Sequence, residues 1–251
     1  MIKILINGAN GKMGKKVFEA CQLSDKVKAV CGVDLFENFS NSEFPIYSNF
    51  DAVVNEVDVI IDFSAPASLD AVLDYSVKNG CNAVLCSTGY TDAQLKKIND
   101  VSQNIAIFRS ANMSLGVNIL IDLVKKAAKT LDGFDVEIIE KHHNQKVDAP
   151  SGTALMLADA VKEVQTDKYY TYGREGMVGK RNDKEIGIHA IRGGNIVGEH
   201  DVLFAGNFET VTLSHQATDR SVFASGAVNA AIYLSNKKSG LFNMSDLVNG
   251  K

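Results

Sequence analysis

The chain has 251 residues, 45% of them hydrophobic, which is enough for a packed core in one or two domains. The formal net charge is -4, the sequence pI is about 5.7, and no run of five Lys or Arg residues occurs, so nucleic acid is not an expected partner. No apolar stretch approaches the roughly 20 residues of a membrane span and no signal-peptide pattern precedes the first strand, so we expect a soluble, cytoplasmic protein with no membrane partner.

The first hundred or so residues alternate short apolar runs with amphipathic segments of helical length. Helices are predicted at residues 14–23, 68–79 and 91–101, and Thr91 with Gln94 forms a capping-box pattern at the start of the third. Strands are predicted at residues 2–6, 28–33, 57–63, 83–86 and 105–109. Most of these strands are continuously apolar, as expected when helices cover both faces of a sheet. The pattern predicts an α/β fold with a Rossmann-type, doubly wound parallel sheet.

A glycine-rich turn follows the first predicted strand and opens a helix; its residues are Gly8, Ala9, Asn10, Gly11, Lys12, Met13 and Gly14. Glycines let the backbone turn tightly and approach a pyrophosphate, while the helix N-terminus offers N–H groups and a partial positive charge. The second strand ends at Asp34, 20 residues after Gly14, where a carboxylate can accept hydrogen bonds from ribose hydroxyls. Together these features predict dinucleotide binding.

A longer amphipathic helix at residues 117–131 marks a change of pattern. A strand is predicted at residues 135–140, and residues 185–214 alternate as strands do, with a hairpin turn at Gly206 and Asn207. A helix at residues 221–235 is expected to rejoin the first domain. We therefore predict a dinucleotide-binding domain formed by residues 1–113 and 221–251, and a second α+β domain at residues 114–220 with a mostly antiparallel sheet.

The densest cluster of functional side chains comes directly after the strand predicted at residues 135–140. It contains His142, His143 and Lys146. Either histidine can exchange a proton near neutral pH, and Lys146 supplies a cation or a second acid; we expect these groups to lie on a loop. A polar surface loop is the alternative interpretation.

A second anion-binding element is predicted immediately after this loop. Ser151 is a credible N-cap for a helix at residues 154–164. The N–H groups of Gly152 and Thr153 would then be available to bind a carboxylate. The alternative is an ordinary capped helix without a ligand.

No metal site is predicted from the histidines or the cysteines. The paired histidines lack an i, i+4 arrangement and a cysteine partner. The four cysteines, Cys21, Cys31, Cys81 and Cys86, form no C-x-x-C pair. We interpret them as small buried residues in a reducing compartment.

The block from Glu140 to Thr153 reads Glu-x-His-His-x-x-Lys-x-Asp-Ala-Pro-Ser-Gly-Thr and resembles the signature of the 4-hydroxy-tetrahydrodipicolinate reductase family, formerly called dihydrodipicolinate reductase. The similarity extends to Arg220 and to residues 8–14, 87–89, 110–113, 193–200 and 239–242. It departs at Cys86, where members of the family often carry Gly.

The resemblance implies NAD(P)H-dependent reduction of 4-hydroxy-tetrahydrodipicolinate to tetrahydrodipicolinate, with loss of water, in the diaminopimelate route of lysine biosynthesis. It implies that His142 and Lys146 transfer protons. The residues implied to bind the cyclic dicarboxylate substrate are His143, Ser151, Gly152, Thr153 and Arg220. Those implied to bind the cofactor are Gly8, Ala9, Asn10, Gly11, Lys12, Met13, Asp34, Cys86, Ser87, Thr88, Ser110, Ala111, Asn112 and Met113. The resemblance also implies a homotetramer joined through the sheets of the second, substrate-binding domain.

The cofactor preference is predicted from the residues around Asp34. A carboxylate here binds the free 2′-hydroxyl of NADH and repels the 2′-phosphate of NADPH. Leu35, Phe36 and Glu37 offer no cation to offset that repulsion, whereas Lys12 could reach the phosphate. We therefore expect NADH to be preferred and NADPH also to be used.

Two other classes of protein share part of this pattern. Another two-domain Rossmann dehydrogenase of the aspartate pathway, such as a semialdehyde or homoserine dehydrogenase, would share the first hundred residues, but a thiol-acylating enzyme needs a reactive cysteine near a histidine. A nucleotide-sensing binding protein would not need His142, His143 and Lys146.

Overall fold

The computed structural model describes residues 1–35 and 43–250. The chain divides into two compact units, the first formed by Met1–Leu115 with Arg220–Lys251 and the second by Gly116–Asp219. Among the described residues, no helix has the length and apolar character needed to span a membrane.

The sheet of the first unit is parallel throughout, as predicted. In the described part of the chain its seven strands are β1 (Ile2–Asn7), β2 (Val27–Val33), β3 (Ile46–Tyr47), β4 (Val59–Asp62), β5 (Asn82–Leu85), β6 (Ala106–Arg109) and β12 (Gly240–Phe242). Their order is β12-β6-β5-β4-β1-β2-β3. The chain therefore leaves the centre toward one edge through β2 and then returns to build the other edge from β4. This reversal is where open α/β sheets bind ligands, at the carboxyl ends of the strands.

Helices cover both faces of this sheet. Their bounds are α1 (Lys12–Gln22), α2 (Leu69–Asn79), α3 (Asp92–Val101), α6 (Ser221–Leu234) and α7 (Met244–Val248). Ile4 and Ile6 of β1 pack in one core with α1 and α6, while Leu5 packs in another with α2 and α3. The two cores explain why the strands are apolar without alternation. The predicted capping box is confirmed, since the Thr91 side chain accepts from the Gln94 N–H and the Gln94 side chain accepts from the Thr91 N–H.

The second unit has a mixed sheet. Its described elements are α4 (Leu115–Thr130), β7 (Asp135–His142), α5 (Gly152–Lys162), β8 (Tyr169–Tyr172), β9 (Glu185–Arg192), β10 (Gly198–Ala205) and β11 (Thr210–Ala217), with α4 beginning at the last residue of the first unit. The strand order is β11-β10-β7-β9-β8. The antiparallel pairs are β10 with β11, through the predicted hairpin, and β10 with β7. β9 pairs parallel with both β7 and β8.

One predicted boundary is wrong in a way that affects the site. The strand predicted at residues 135–140 continues to His142, because Lys141 pairs with Glu199 of β10 and His142 pairs with Arg192 of β9. His142 therefore lies on a strand end that is paired on the β9 side, and not on the loop where we expected it. Only the groups after it, including Lys146, lie on the loop.

Candidate active site

The glycine loop after β1 has the conformation that close backbone packing requires. Gly8 has a φ of +80°, in the left-handed region, and a Cβ on residue 14 would lie 2.2 Å from the Gly8 carbonyl oxygen. Glycine at position 14 thus lets α1 begin directly against the loop. Gly11 is the N-cap of α1 and has no side chain with which to cap it. The first N–H groups of a helix lack intrahelical acceptors, so this loop is suited to an anion.

Asp34 ties the end of β2 to the same loop. Its Oδ2 accepts a hydrogen bond from the Asn10 N–H at 2.9 Å, and the Gly8 N–H donates to the Val33 carbonyl at 2.9 Å. Leu35 is 86% exposed beside it. Phe36 and Glu37, which entered the prediction of cofactor preference, lie outside the described residues. Lys12 is exposed at the first position of α1.

A buried acid at the end of β4 was missed from the sequence. The Asp62 carboxylate is fully buried, and its Oδ1 accepts hydrogen bonds from Asn7 Nδ2 at 2.8 Å and from the Ser64 N–H at 3.1 Å. Ser87 Oγ donates to Oδ2 at 3.4 Å. Burial raises the pKa of Asp62, and the hydrogen bonds from Ser64, Asn7 and Ser87 oppose this. The network joins the carboxyl ends of β1, β4 and β5 at the ligand-binding edge of the sheet.

The other predicted cofactor residues follow β5 and β6 at the same edge. Cys86 packs partly against the core and its N–H donates to the Asp62 carbonyl at 2.9 Å, while Thr88 and Ala111 are exposed. Ser110 Oγ donates to the Asn112 carbonyl at 2.9 Å. Met113 is only 3% exposed, so its side chain belongs to the hydrophobic core. Any cofactor contact at Met113 therefore uses its backbone.

In the second unit, the centre of the site is a buried carboxylate. Glu140 is fully buried on β7, and Arg192 at the end of β9 donates to both of its oxygens, at 2.7 Å to Oε1 and 2.8 Å to Oε2. His142 Nδ1 lies 2.6 Å from Oε2, and the Ser151 N–H donates to Oε1 at 2.9 Å. Because side chains on a strand alternate, Glu140 and His142 share one face of β7.

A second histidine lies beside this group. His200 of β10 is 3% exposed, its Nε2 lies 3.0 Å from Ser151 Oγ, and its ring centroid lies 5.2 Å from that of His142. The Ser151 hydroxyl also accepts from the Ala154 N–H at 3.2 Å, so the predicted N-cap of α5 is confirmed. Neither Arg192 nor His200 was predicted as a site residue.

The loop after β7 contains the remaining predicted groups of this unit. Lys146 Nζ donates to Asp148 Oδ1 at 2.7 Å, and the Lys146 N–H donates to the His143 carbonyl at 3.2 Å. The loop returns to α5 through a cis Ala149–Pro150 peptide bond.

The predicted substrate-binding residues divide between the two units. Gly152 is exposed and Thr153 half-buried at the start of α5. Arg220 lies in the first unit at the N-cap position of α6. The second unit therefore brings together His142, His143, Lys146 and the start of α5, whereas Arg220 belongs to the first unit.

The charges of this cluster follow from burial and pairing. Burial raises the pKa of Glu140, but the hydrogen bonds from Arg192, His142 and the Ser151 N–H outweigh it, so the pKa lies below its usual value and Glu140 is ionised. Burial lowers the pKa of His142, and Glu140 opposes this. Burial and the nearby His142 lower the pKa of His200 to about 4, so His200 is neutral near pH 7.

The cysteines do not have the environment of a catalytic nucleophile. Burial raises the pKa of Cys21 and Cys31 to about 12, that of Cys81 to about 11, and that of Cys86 well above its usual value. A reactive cysteine needs a lowered pKa to form the thiolate. This argues against a dehydrogenase that acylates an enzyme thiol.

A parallel nucleotide-binding sheet combined with an acid–base cluster in a second unit defines a dinucleotide-dependent oxidoreductase with two domains. Residues 2–113 match the family described as "Dihydrodipicolinate reductase, N-terminus", and residues 116–248 match "Dihydrodipicolinate reductase, C-terminus". The chain belongs to the dihydrodipicolinate reductase family, as the resemblance of its motifs predicted.

Individual relatives support this membership along the whole chain. The 4-hydroxy-tetrahydrodipicolinate reductase of Caldanaerobacter subterraneus subsp. tengcongensis is 50% identical over 249 residues, covering 99% of this chain and 98% of the relative. That of Clostridium tetani is 47% identical over 251 residues, with the same coverage. The structure of a dipicolinate-bound dihydrodipicolinate reductase from Paenisporosarcina sp. TG-14 superposes with a TM-score of 0.82 at 28% identity, covering 97% of each chain.

Proposed function

We propose that the protein is an NAD(P)H-dependent 4-hydroxy-tetrahydrodipicolinate reductase that forms tetrahydrodipicolinate in the diaminopimelate route of lysine biosynthesis. The observation that carries this proposal is the contact between the ionised Glu140 carboxylate and the His142 ring, in a chain of this family. Lys146 and the start of α5 belong to the same cluster. The reaction adds a hydride and a proton to the substrate and releases water. It therefore requires a proton donor and sites for the substrate's two carboxylates.

The first unit has features that fit a nicotinamide dinucleotide. Residues 8 and 14 pack so closely that a side chain at position 14 would collide with the Gly8 carbonyl. The Asp34 carboxylate is bound to the same loop through the Asn10 N–H. We propose that the glycine loop binds the pyrophosphate and Asp34 binds the adenosine ribose. We propose that Cys86, Ser87 and Thr88, together with the segment Ser110, Ala111, Asn112 and Met113, line the nicotinamide end. When bound, the reduced nicotinamide supplies the hydride.

The protein's own residues supply the proton and hold the substrate. We propose that His142, through Nε2, and Lys146 transfer protons. The start of α5 at Ser151, Gly152 and Thr153 would bind one substrate carboxylate through its N–H groups. His143 and Arg220 would bind the rest of the cyclic dicarboxylate, and the guanidinium of Arg220 can contact a carboxylate through two hydrogen bonds. The dipicolinate bound by the Paenisporosarcina relative is also a cyclic dicarboxylate, which supports this class of substrate.

We propose NADH as the preferred cofactor, with NADPH also used. Asp34 and the exposed, apolar Leu35 favour a free 2′-hydroxyl, while the exposed Lys12 is available to a 2′-phosphate.

We also propose a cytoplasmic homotetramer joined through the sheets of the second units. Four free cysteines suit a reducing compartment. Ile139 and Leu203, half-buried on the face of the sheet opposite the α5 core, and Ile191, 47% exposed on β9, provide apolar area for such an interface. Light scattering on the purified protein tests this, and a monomer at micromolar concentration would contradict it.

A coupled assay tests the proposed reaction. Pyruvate, aspartate semialdehyde and the preceding synthase generate the substrate, and loss of reduced nicotinamide absorbance reports turnover. We expect turnover with NADH and, at a lower kcat/KM, with NADPH, at one stated salt concentration because salt screens phosphate contacts. Absence of turnover with both cofactors would reject the proposed function. A preference of about tenfold or more for NADPH would reject the argument from Asp34 and indicate Lys12 as the main determinant.

A further inference from the structure

The Glu140 carboxylate contacts three separate parts of the proposed site. It binds Arg192 through both oxygens, the Ser151 N–H through Oε1, and His142 through Oε2. A buried carboxylate stays ionised only when its charge and hydrogen-bonding capacity are matched in this way. Glu140 is fully buried, so its role toward the substrate is indirect.

The contact with His142 determines which ring nitrogen is available for proton transfer. An ionised carboxylate can only accept, so His142 Nδ1 must carry hydrogen toward Glu140, and Nε2 is the nitrogen that gains or loses a proton. The space beside Nε2 is kept open by Gly198, where an added Cβ would lie 3.1 Å from that nitrogen.

The same carboxylate sets the start of α5. The Ser151 N–H donates to Glu140 Oε1, and the Ser151 hydroxyl caps the helix at the Ala154 N–H. The helix start proposed to bind a substrate carboxylate is therefore fixed to the strand that carries the proposed proton donor. A displacement of Glu140 would therefore disturb both the start of α5 and the orientation of the His142 ring.

Arg192 also connects Glu140 to the loop after β7. Besides holding Glu140, its Nη2 donates to the Asp148 carbonyl at 2.7 Å, and the Asp148 carboxylate accepts from Lys146. One ion pair thus contacts the three elements that carry His142, Lys146 and Ser151.

We propose that Glu140, held by Arg192, is the positioning residue that fixes the Nδ1–H tautomer of His142 and aligns it with the carboxylate-binding start of α5. This inference rests on the proposed function and deepens it, because it names the groups that prepare the site for proton transfer.

The variant Glu140→Gln tests the tautomer directly. The Ser151 N–H and Arg192 Nη2 face Oε1, whereas Oε2 faces Arg192 Nη1 and the His142 ring. His142 alone among these donors can become an acceptor, by changing tautomer, so the single amide oxygen is expected on the Oε1 side and the amide NH₂ on the side of His142. His142 Nδ1 must then accept, and the Nε2–H tautomer should dominate. Two-bond ¹H–¹⁵N correlations of labelled histidines distinguish the tautomers. The wild-type protein should show Nδ1–H at His142, and an Nε2–H tautomer there would overturn the proposal without any variant having to fold.

The kinetic expectation for Glu140→Gln is a fall in kcat of about 100-fold, with KM for NADH changed by less than about twofold. The groups that face His142 are Glu140, Lys146, Arg192 and His200. Only Glu140 raises the pKa of His142 among these, so the limb of the pH profile due to His142 should move to lower pH. A folded variant with near-normal kcat and an unmoved profile would overturn the proposal.

The matched control is Glu137→Gln on the same strand. Glu137 is also held by arginines and a histidine, but on the other face of β7, and its loss should leave kcat within about twofold. An equal loss of kcat in both variants would indicate general damage to the sheet and would also overturn the proposal. Failure of the wild-type protein to oxidise NADH would reject the proposed function instead, while the tautomer measurement still tests Glu140.

Discussion

Two clusters built from the same three residue types, Glu, Arg and His, lie on opposite faces of β7. Glu140 is bound by Arg192 and His142, and Glu137 by Arg174, Arg181 and His189. Arg174 donates to both Glu137 oxygens at 2.9 Å, and His189 Nε2 lies 2.7 Å from Oε2. By residue type and distance alone, either cluster could be taken for an acid–base site.

What separates them is the set of elements that each carboxylate connects. The Glu140 side chain is fully buried and accepts the backbone N–H of the residue that caps α5. The Glu137 side chain is 20% exposed, and its partners come from β9 and from the segment between β8 and β9. We therefore interpret the Glu140 cluster, which joins His142 to the start of α5, as part of the proposed site. We interpret the Glu137 cluster, which attaches the segment between β8 and β9 to the sheet, as a structural clamp.

The largest difference in kcat between the two clusters is expected when their histidines are replaced. Replacing His142 with Ala should lower kcat by roughly 100-fold or more, the usual scale for loss of general acid catalysis, and Lys146→Ala should do the same. His189→Ala should leave kcat within about twofold. KM for NADH should barely change in any of the three. Near-normal turnover by both His142→Ala and Lys146→Ala would mean that neither residue transfers a proton, and that the end of β7 and the loop after it are structural.

Sequence reasoning located five of the seven described strands of the first unit because their signals are local, but it missed the short strands β3 and β12 and the short helix α7. The capping box at Thr91, the glycine turn at Gly8 and the apolar strands each depend on residues close in sequence. Asp62 was missed even though it is the last residue of an apolar strand. Its partners Asn7 and Ser87 come close to it only when β4 is paired between β1 and β5.

The second unit shows the same limit more strongly. The two-residue spacing of Glu140 and His142 could have placed them on one face of a strand, and that signal was available. The contact of Arg192 with Glu140 could not be predicted from the sequence. It depends on the parallel pairing of β7 with β9, in which paired residues such as His142 and Arg192 lie fifty positions apart in the chain. Periodicity predicts that these segments are strands but does not predict which strands are neighbours.

Two glycines offer a finer test, since each lies against one cluster. A Cβ on residue 187 would lie 1.8 Å from Glu137 Oε2, so Gly187→Ala should displace Glu137 from its arginines and destabilise the protein by about 1–3 kcal/mol. A Cβ on residue 198 would lie 3.1 Å from His142 Nε2, so Gly198→Ala should lower kcat by about tenfold with little loss of stability. Urea unfolding measures the stability of both variants, and steady-state kinetics measures their kcat. A large loss of kcat in Gly187→Ala with a loss of stability in Gly198→Ala would contradict the assignment of Glu137 to a structural clamp and of His142 to the proposed site.

The smallest expected effect concerns acid stability and the clamp alone. Burial raises the pKa of Glu137, but hydrogen bonds from Arg174, His189 and Arg181 outweigh it and lower the pKa from 4.5 to about 2. A lowered folded-state pKa stabilises the protein above the unfolded value, and this stabilisation is lost as pH falls from about 4.5 toward 2. After allowance for solvent screening of a partly exposed group, Glu137→Gln should cost about 1 kcal/mol near pH 6. Urea unfolding of both proteins between about pH 6 and pH 3 should show the difference shrinking, because protonated Glu137 resembles Gln. A difference that stays constant with pH would mean that the clamp depends on shape and not on the charge of Glu137.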